Sequence, residues 1–315
     1  MAKQRFLISL ITKDNDYQRE QATAAEEVAR SLGVEIHITY CESDAILQSQ
    51  QLLEVIQSPK ASEFTGIIVE PAGGTSMTQV GRAALKVGIG WVVLNREIDT
   101  IGELRRLSNA PCFAVSSDNE EVGRIQGRQL AALLPKGGLA LCLQGPSASQ
   151  VAQRRANGLQ GAKPHSVQLK ILKCPTWTEA GGHGAVTSWL RVTVAQKERI
   201  DVVVGQNDLI AMGARKALKD SLMDGGLAGF GKVRFTGVDG LPKTGQAWVR
   251  SGMLVATVVV PPNTTPALKM LVQAMNNRVQ PPELTLVAPF SFPELKDLGA
   301  ATEGNGEDLT DDGWK

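Results

Sequence analysis

The stretch Val202-Val203-Val204-Gly205-Gln206-Asn207-Asp208-Leu209-Ile210-Ala211-Met212 decides how this chain is read. Three consecutive β-branched residues make a strand that is apolar on both faces, as in a parallel sheet covered on both sides. The Gln-Asn-Asp corner ends that strand. Asn207 or Asp208 can cap the next helix, whose apolar stripe is Ile210, Gly213, Ala214, Ala217 and Leu218. Open parallel sheets hold ligands at the carboxyl ends of their strands, so the polar corner is a candidate ligand shelf. Farther along, Phe235-Thr236-Gly237-Val238-Asp239-Gly240 repeats the design and delivers Asp239 to a strand's carboxyl end.

Outward from this stretch the chain is ordinary in composition. Its 315 residues, 43% hydrophobic and 21% charged, can build two domains with substantial cores. A net charge of +1 without a basic cluster gives no nucleic-acid footprint, and the apolar stretch Met253 to Val260 is far too short to span a bilayer. Basic residues precede the apolar run Phe6 to Ile11, but the run is brief and no small-residue cleavage site follows, so it reads as the first strand. Cys41, Cys112, Cys142 and Cys174 lie far apart in or beside predicted strands, as buried thiols do, without the spacing of a metal site or a disulfide framework.

Strand and helix then alternate. Strands fit Arg5 to Ile11, Val34 to Cys41, Thr65 to Glu70, Trp91 to Asn95, Cys112 to Ser116, Leu139 to Gln144, Val167 to Lys173, Asp201 to Gly205, Val233 to Val238 and Leu254 to Val260. A helix from about Asp16 to Leu32 puts Ala22, Ala25, Val28, Ala29 and Leu32 on one face and ends at Gly33. The fold class is therefore α/β with parallel sheets and right-handed crossovers, and this many strands divide more naturally into two sheets than one. The first break falls near Ser116-Ser117-Asp118, and the acidic, glycine-rich residues 299–315 read as a disordered tail.

Several candidate chemistries fail on their residues. Gly145-Pro146-Ser147-Ala148-Ser149 follows a strand like a nucleophile elbow but has Ser149 where the second glycine belongs, so a helix-capping serine is the simpler reading. His37, His165 and His183 have no second metal ligand at a useful spacing. The glycine-rich Gly225 to Gly231 precedes a strand instead of following one, which makes it a loop and not a phosphate cradle. No cofactor or metal is implied.

What remains is a set of polar and aromatic residues at strand ends: Asp14-Asn15-Asp16-Tyr17, Asn95-Arg96, Asp118, Trp177, Asn207 and Asp239. Together with Thr12 to Tyr17, Val93 to Glu97, Ser117-Asp118-Asn119, Gln206-Asn207-Asp208 and Gly237 to Gly240, in this order, the chain resembles the type I periplasmic binding proteins, most nearly their ribose-binding branch, over about residues 5 to 293. The resemblance implies two Rossmann-like lobes, 1–116 with 261–288 and 117–260 with 289–298, joined by a three-crossing hinge and closing on one small ligand without catalysis. It implies Asn15, Tyr17, Asn95 and Arg96 as ligand contacts of the first lobe, with Trp177, Asn207 and Asp239 in the second. Asp14, Asp118, Gln153, Arg155 and Val260 complete the candidate ligand-binding set.

The residue types agree on separate grounds. A sugar has apolar C–H faces and a hydroxyl rim, so aromatic plates such as Tyr17 and Trp177 suit its faces, and Arg96 and Asp239 suit its rim. Each alone has an ordinary alternative as a turn residue, a core aromatic or a surface charge. Two departures from the ribose-binding pattern stand out. Gln153, with Arg155 nearby, occupies an arginine's place, and Val260 that of a hinge glutamine, which argues against ribose itself. The expected partners are a sugar and an ABC transporter permease or a sensor, with the protein a monomer. The location is periplasmic if an export signal was removed and cytoplasmic if Met1 is the native start. The competing reading is an enzyme on a doubly wound fold, such as a serine hydrolase using Ser147.

Overall fold

The computed structural model describes residues 4–72, 77–95, 100–192, 199–223 and 233–298. Arg96, the Gly225–Gly231 segment and the 299–315 tail lie outside them. Twelve strands form among the described residues: β1 (Arg5–Leu10), β2 (Glu35–Tyr40), β3 (Gly66–Val69), β4 (Gly90–Leu94), β5 (Cys112–Ser117), β6 (Gly138–Gln144), β7 (Val167–Lys173), β8 (Val202–Gly205), β9 (Arg234–Asp239), β10 (Ala256–Val259), β11 (Leu284–Val287) and β12 (Phe290–Phe292).

They build two six-stranded sheets, ordered β11-β5-β4-β3-β1-β2 and β12-β10-β9-β8-β6-β7. Every pairing is parallel except β10 with β12. The chain divides into two compact units, one comprising residues up to Ser117 together with Pro261–Val287, the other Asp118–Val260 together with the residues from Ala288 on. Two crossings differ by one residue from the boundaries expected from sequence. Ser117 belongs with the first unit because its hydroxyl receives the Asn263 Nδ2 amide at 3.1 Å, and Asn263 itself lies in that unit.

Alternate residues of each central strand go to different cores, which explains why these strands read as continuous apolar runs. In the first unit Leu7, Ile67, Val69, Trp91 and Val93 enter one cluster, while Phe6, Ile8, Ile68, Val92 and Phe113 enter the other. The second unit sorts Leu141, Leu143, Val203 and Phe235 from Ala140, Cys142, Val202 and Val204. Full burial of such a side chain contributes ~1.5–3 kcal/mol. All four cysteines are buried free thiols, and burial pushes Cys112 and Cys142 up to about 12.

Local signals set the element ends. The helix Asp16–Leu32 starts under the Asn15 side chain, which accepts the Tyr17 and Gln18 amides, and stops at Gly33 in the left-handed region. In the second unit the helices Asn119–Leu133 and Gln150–Ala162 meet backbone to backbone at Gly123 and Gly158. A methyl on either glycine would overlap the facing carbonyl, of Arg155 or Glu120, so alanine there would push the two helices apart.

Candidate functional site

The polar strand ends gather into one cluster per unit. In the first unit the cluster centres on Asn95, which follows β4 with φ 55°, a backbone conformation strained for a side-chain-bearing residue. Its Nδ2 donates to Tyr17 Oη at 3.2 Å and to Glu70 Oε1 at 3.0 Å. Its Oδ1 accepts from Asn263 Nδ2 at 2.6 Å and from the Ser117 hydroxyl at 3.4 Å. Gln18 Nε2 supplies the other Glu70 oxygen at 2.8 Å. Glu70 and Asn263 are buried.

Tyr17 and Asn95 are therefore brought together, and Asn15 orients Tyr17 from below as the helix cap. The amide of Asn95 already bonds protein groups at both ends, so its main work is to hold the phenol in place. Asp14 stands apart, exposed in the preceding loop. Glu70, Asn263 and Ser117 are not among the ligand contacts expected from the sequence. For Glu70 a signal existed, a carboxylate closing an all-buried strand just before Pro71. Asn263 follows two prolines and precedes the helix Thr264–Asn277, a position where polar residues are routine.

In the second unit the cluster centres on Arg155, almost fully buried on the inner face of its helix. Its Nη1 lies 3.8 Å from Asp239 Oδ1, and its Nε donates to Asn119 Oδ1 at 3.0 Å. The guanidinium sits 5.8 Å from the centre of the Trp177 ring, within reach of a cation–π contact. Trp177 lies against Gly145, where any Cβ would intrude on the indole. Asn207 holds it in place, with Nδ2 donating to the Trp177 carbonyl at 3.0 Å while Oδ1 accepts the Ile210 amide at 2.8 Å. Val260 is buried and donates its backbone N–H to the Asp239 carbonyl.

Asp239 adopts φ 102°, the second strained strand end, and Asp208 fixes the turn beside it. Asp208 Oδ2 accepts the Gly240 N–H at 2.8 Å and Oδ1 accepts the Thr257 hydroxyl at 2.7 Å. Burial first, and the neighbouring Asp239 charge second, hold the Asp208 carboxyl well above its usual range.

Three expectations change against this geometry. Gln153 is exposed, with its amide on the Ser147 carbonyl, whereas Arg155 enters the cluster. Two positions along a helix turn about 200°, so the two side chains cannot share a face, and it is Arg155 that joins the cluster. Asn207 caps the helix and holds Trp177, so its polar atoms serve the protein first. Asp118 likewise caps the helix Asn119–Leu133, accepting the Glu121 amide at 2.8 Å. Ser147 is exposed, and Ser149 caps the next helix by accepting the Ala152 amide. Among the described residues no three of His, Cys, Asp and Glu converge as a metal site, and no helix is long and apolar enough to cross a membrane.

Comparison with known proteins yields a family and a fold. Residues 6–278 match the model of a periplasmic binding protein domain. The putative rhizopine-binding protein of Rhizobium meliloti is 28% identical over 70% of this chain and 71% of its own length. The D-allose-binding periplasmic protein of Escherichia coli is 26% identical over 87% of this chain and 85% of its own. The crystal structure of an ABC transporter periplasmic solute binding protein from Actinobacillus succinogenes with bound D-allose superposes with a TM-score of 0.79 at 20% identity, covering 95% of this chain and 100% of that one.

Proposed function

We infer the function from one premise: the chain belongs to the periplasmic binding protein family. It is a binding protein and not an enzyme. We propose that its ligand is a sugar or closely related polyol, delivered in the periplasm to an ABC importer. The relatives named for D-allose and rhizopine binding support this reading.

The observation that carries it is the Arg155–Asp239–Trp177 constellation. A guanidinium nitrogen and a carboxylate oxygen 3.8 Å apart set a donor beside an acceptor, as vicinal hydroxyls require, and the indole face suits ring C–H groups. Tyr17 supplies the corresponding aromatic in the first unit. Buried Val260 offers no hydrogen bond at the end of β10. A hydroxyl set against it would lose its water unpaired at about 1–3 kcal/mol, so the ligand presents a hydrogen, a methyl or a ring C–H there.

The experiment is a thermal-shift screen against pentoses, hexoses, their deoxy forms and cyclitols. A ligand that binds only the folded state raises the melting temperature by mass action. A sugar that does so in the parent but not in Asp239→Ala supports the reading. A full screen without a shift contradicts it.

A further inference from the structure

Three consecutive buried residues, Gln206, Asn207 and Asp208, each take hold of one member of the Arg155–Asp239–Trp177 constellation. Arg155 Nη1 donates to the Gln206 carbonyl. Asn207 Nδ2 donates to the Trp177 carbonyl at 3.0 Å. Asp208 Oδ2 accepts the N–H of Gly240, the residue after Asp239, at 2.8 Å. The corner between β8 and the helix Asp208–Met223 is therefore the frame on which the three side chains are mounted.

Asp208 has the tightest seat of the three. Its Oδ1 lies against Gly237 in β9 and its Oδ2 against Gly245, which opens the helix Gly245–Arg250, so closely that a Cβ on either glycine would overlap the carboxyl. Its Oδ1 also accepts the hydroxyl of Thr257 in β10 at 2.7 Å. A side chain wedged among three elements cannot swing, so the acceptor it offers Gly240 is fixed in place. The turn needs such a fixture, because Asp239 sits at φ 102° and a strained backbone persists only where its surroundings hold it. Two further bonds help: Gln246 Nε2 to the Gly240 carbonyl at 2.8 Å and the Val260 N–H to the Asp239 carbonyl at 3.1 Å. Gln246 is only half-buried, whereas Asp208 is enclosed. The 3.8 Å between Arg155 Nη1 and Asp239 Oδ1 is thus held from both ends by one corner, through the Gln206 carbonyl on the guanidinium and Asp208 on the turn.

We propose that Asp208 is a positioning residue for ligand recognition, fixing through the Asp239–Gly240 turn the spacing of carboxylate and guanidinium to which the ligand's hydroxyls are fitted. The inference rests on the sugar-binding reading and deepens it. In this role Asp208 makes no contact with the ligand. Burial and the Asp239 charge favour its protonated form, which adds no second negative charge beside Asp239. What the position demands is an acceptor for Gly240, and an amide oxygen meets that demand as an acid does.

The test titrates the full chain calorimetrically with the sugar taken from the thermal-shift screen. Asp208→Ala leaves the Gly240 N–H without its acceptor and is expected to weaken binding about tenfold. Asp208→Asn restores binding to within about twofold of the parent, which a loss of mere bulk or charge would not predict. In an Asp239→Asn background the Asp208→Ala loss shrinks to under about twofold, because Asp208 works through Asp239. An Asp208→Ala protein that binds like the parent, or a loss that is equal with and without the Asp239 carboxylate, overturns the proposal and leaves the sugar reading standing. If Asp208→Ala fails to fold, Gly245→Ala takes its place, its methyl displacing Oδ2 from Gly240, and the same outcomes decide. If no sugar binds the parent, the sugar reading falls and urea unfolding decides the positioning. Asp239→Asn should then lower the folded-to-unfolded ratio at least about threefold more in the parent than in Asp208→Ala, and equal losses overturn the proposal.

Discussion

Among the described residues, the first unit's strand-end cluster is built from amides around one acid, Glu70, and the second's around a buried arginine beside a partly exposed aspartate. Each contains an asparagine whose task is to hold an aromatic ring, Asn95 through the Tyr17 hydroxyl and Asn207 through the Trp177 carbonyl. Each contains one strained strand-end residue, Asn95 or Asp239. Similar sheets thus carry similar scaffolding with different electrostatics. The second unit keeps Arg155 beside Asp239, whereas the described part of the first leaves Glu70 to neutral amides.

The harshest way to break this comparison is to remove the second unit's cation. Arg155→Met removes the guanidinium that Asp239 and Asn119 contact. Unfolding free energy in urea is expected to fall by about 3 kcal/mol, the low end for a broken buried pair because Asp239 stays 19% exposed, and ligand binding should vanish. The two asparagines come next. Asn207→Ala and Asn95→Ala should each lower stability by about 1–2 kcal/mol and weaken binding as well, since each loses buried hydrogen bonds and frees its aromatic ring. Unchanged stability in both, by the same urea titration, would mean their side chains bond the ligand and not the protein.

Asp208 sharpens the contrast through pH. An unfolded Asp208 ionises near its usual value of 3.8, while the folded one keeps its proton to higher pH. Between those points the folded state binds more protons, so stability contributed by this group falls as pH rises from about 4 toward the folded value. Asp208→Asn keeps an acceptor for the Gly240 N–H and removes the titration. Melting temperature measured against pH should lose that downward slope and end higher at neutral pH. A retained slope would assign it to another group.

Much of the fold was legible because both faces of the central strands are covered, which turns Phe6 to Leu10 or Val202 to Val204 into unbroken apolar runs. β11 and β12 were not read as strands. They are short, and Leu284, Leu286 and Phe290 are exposed, so neither the run nor its alternation stands out. Tyr17, Asn95, Trp177, Asn207 and Asp239 stood out because polar and aromatic residues at strand ends are conspicuous, and the structure places them in the two clusters. Gln153 lies two residues from Arg155, enough to put it on another helix face, exposed. Glu70 was absorbed into its strand, and Asn263 depends on contacts 168 positions away in the chain that no local pattern encodes.

The side chains of the strand-end clusters, Tyr17 in one unit and Trp177 in the other, are the proposed sugar contacts. The most direct test is isothermal titration of the parent, Tyr17→Ala and Trp177→Ala with the same sugar taken from the thermal-shift screen. The parent is expected to bind the sugar, and each variant to lose about 1.5–3 kcal/mol of binding free energy with folding retained. A variant that binds the sugar as tightly as the parent contradicts the role proposed for its aromatic ring.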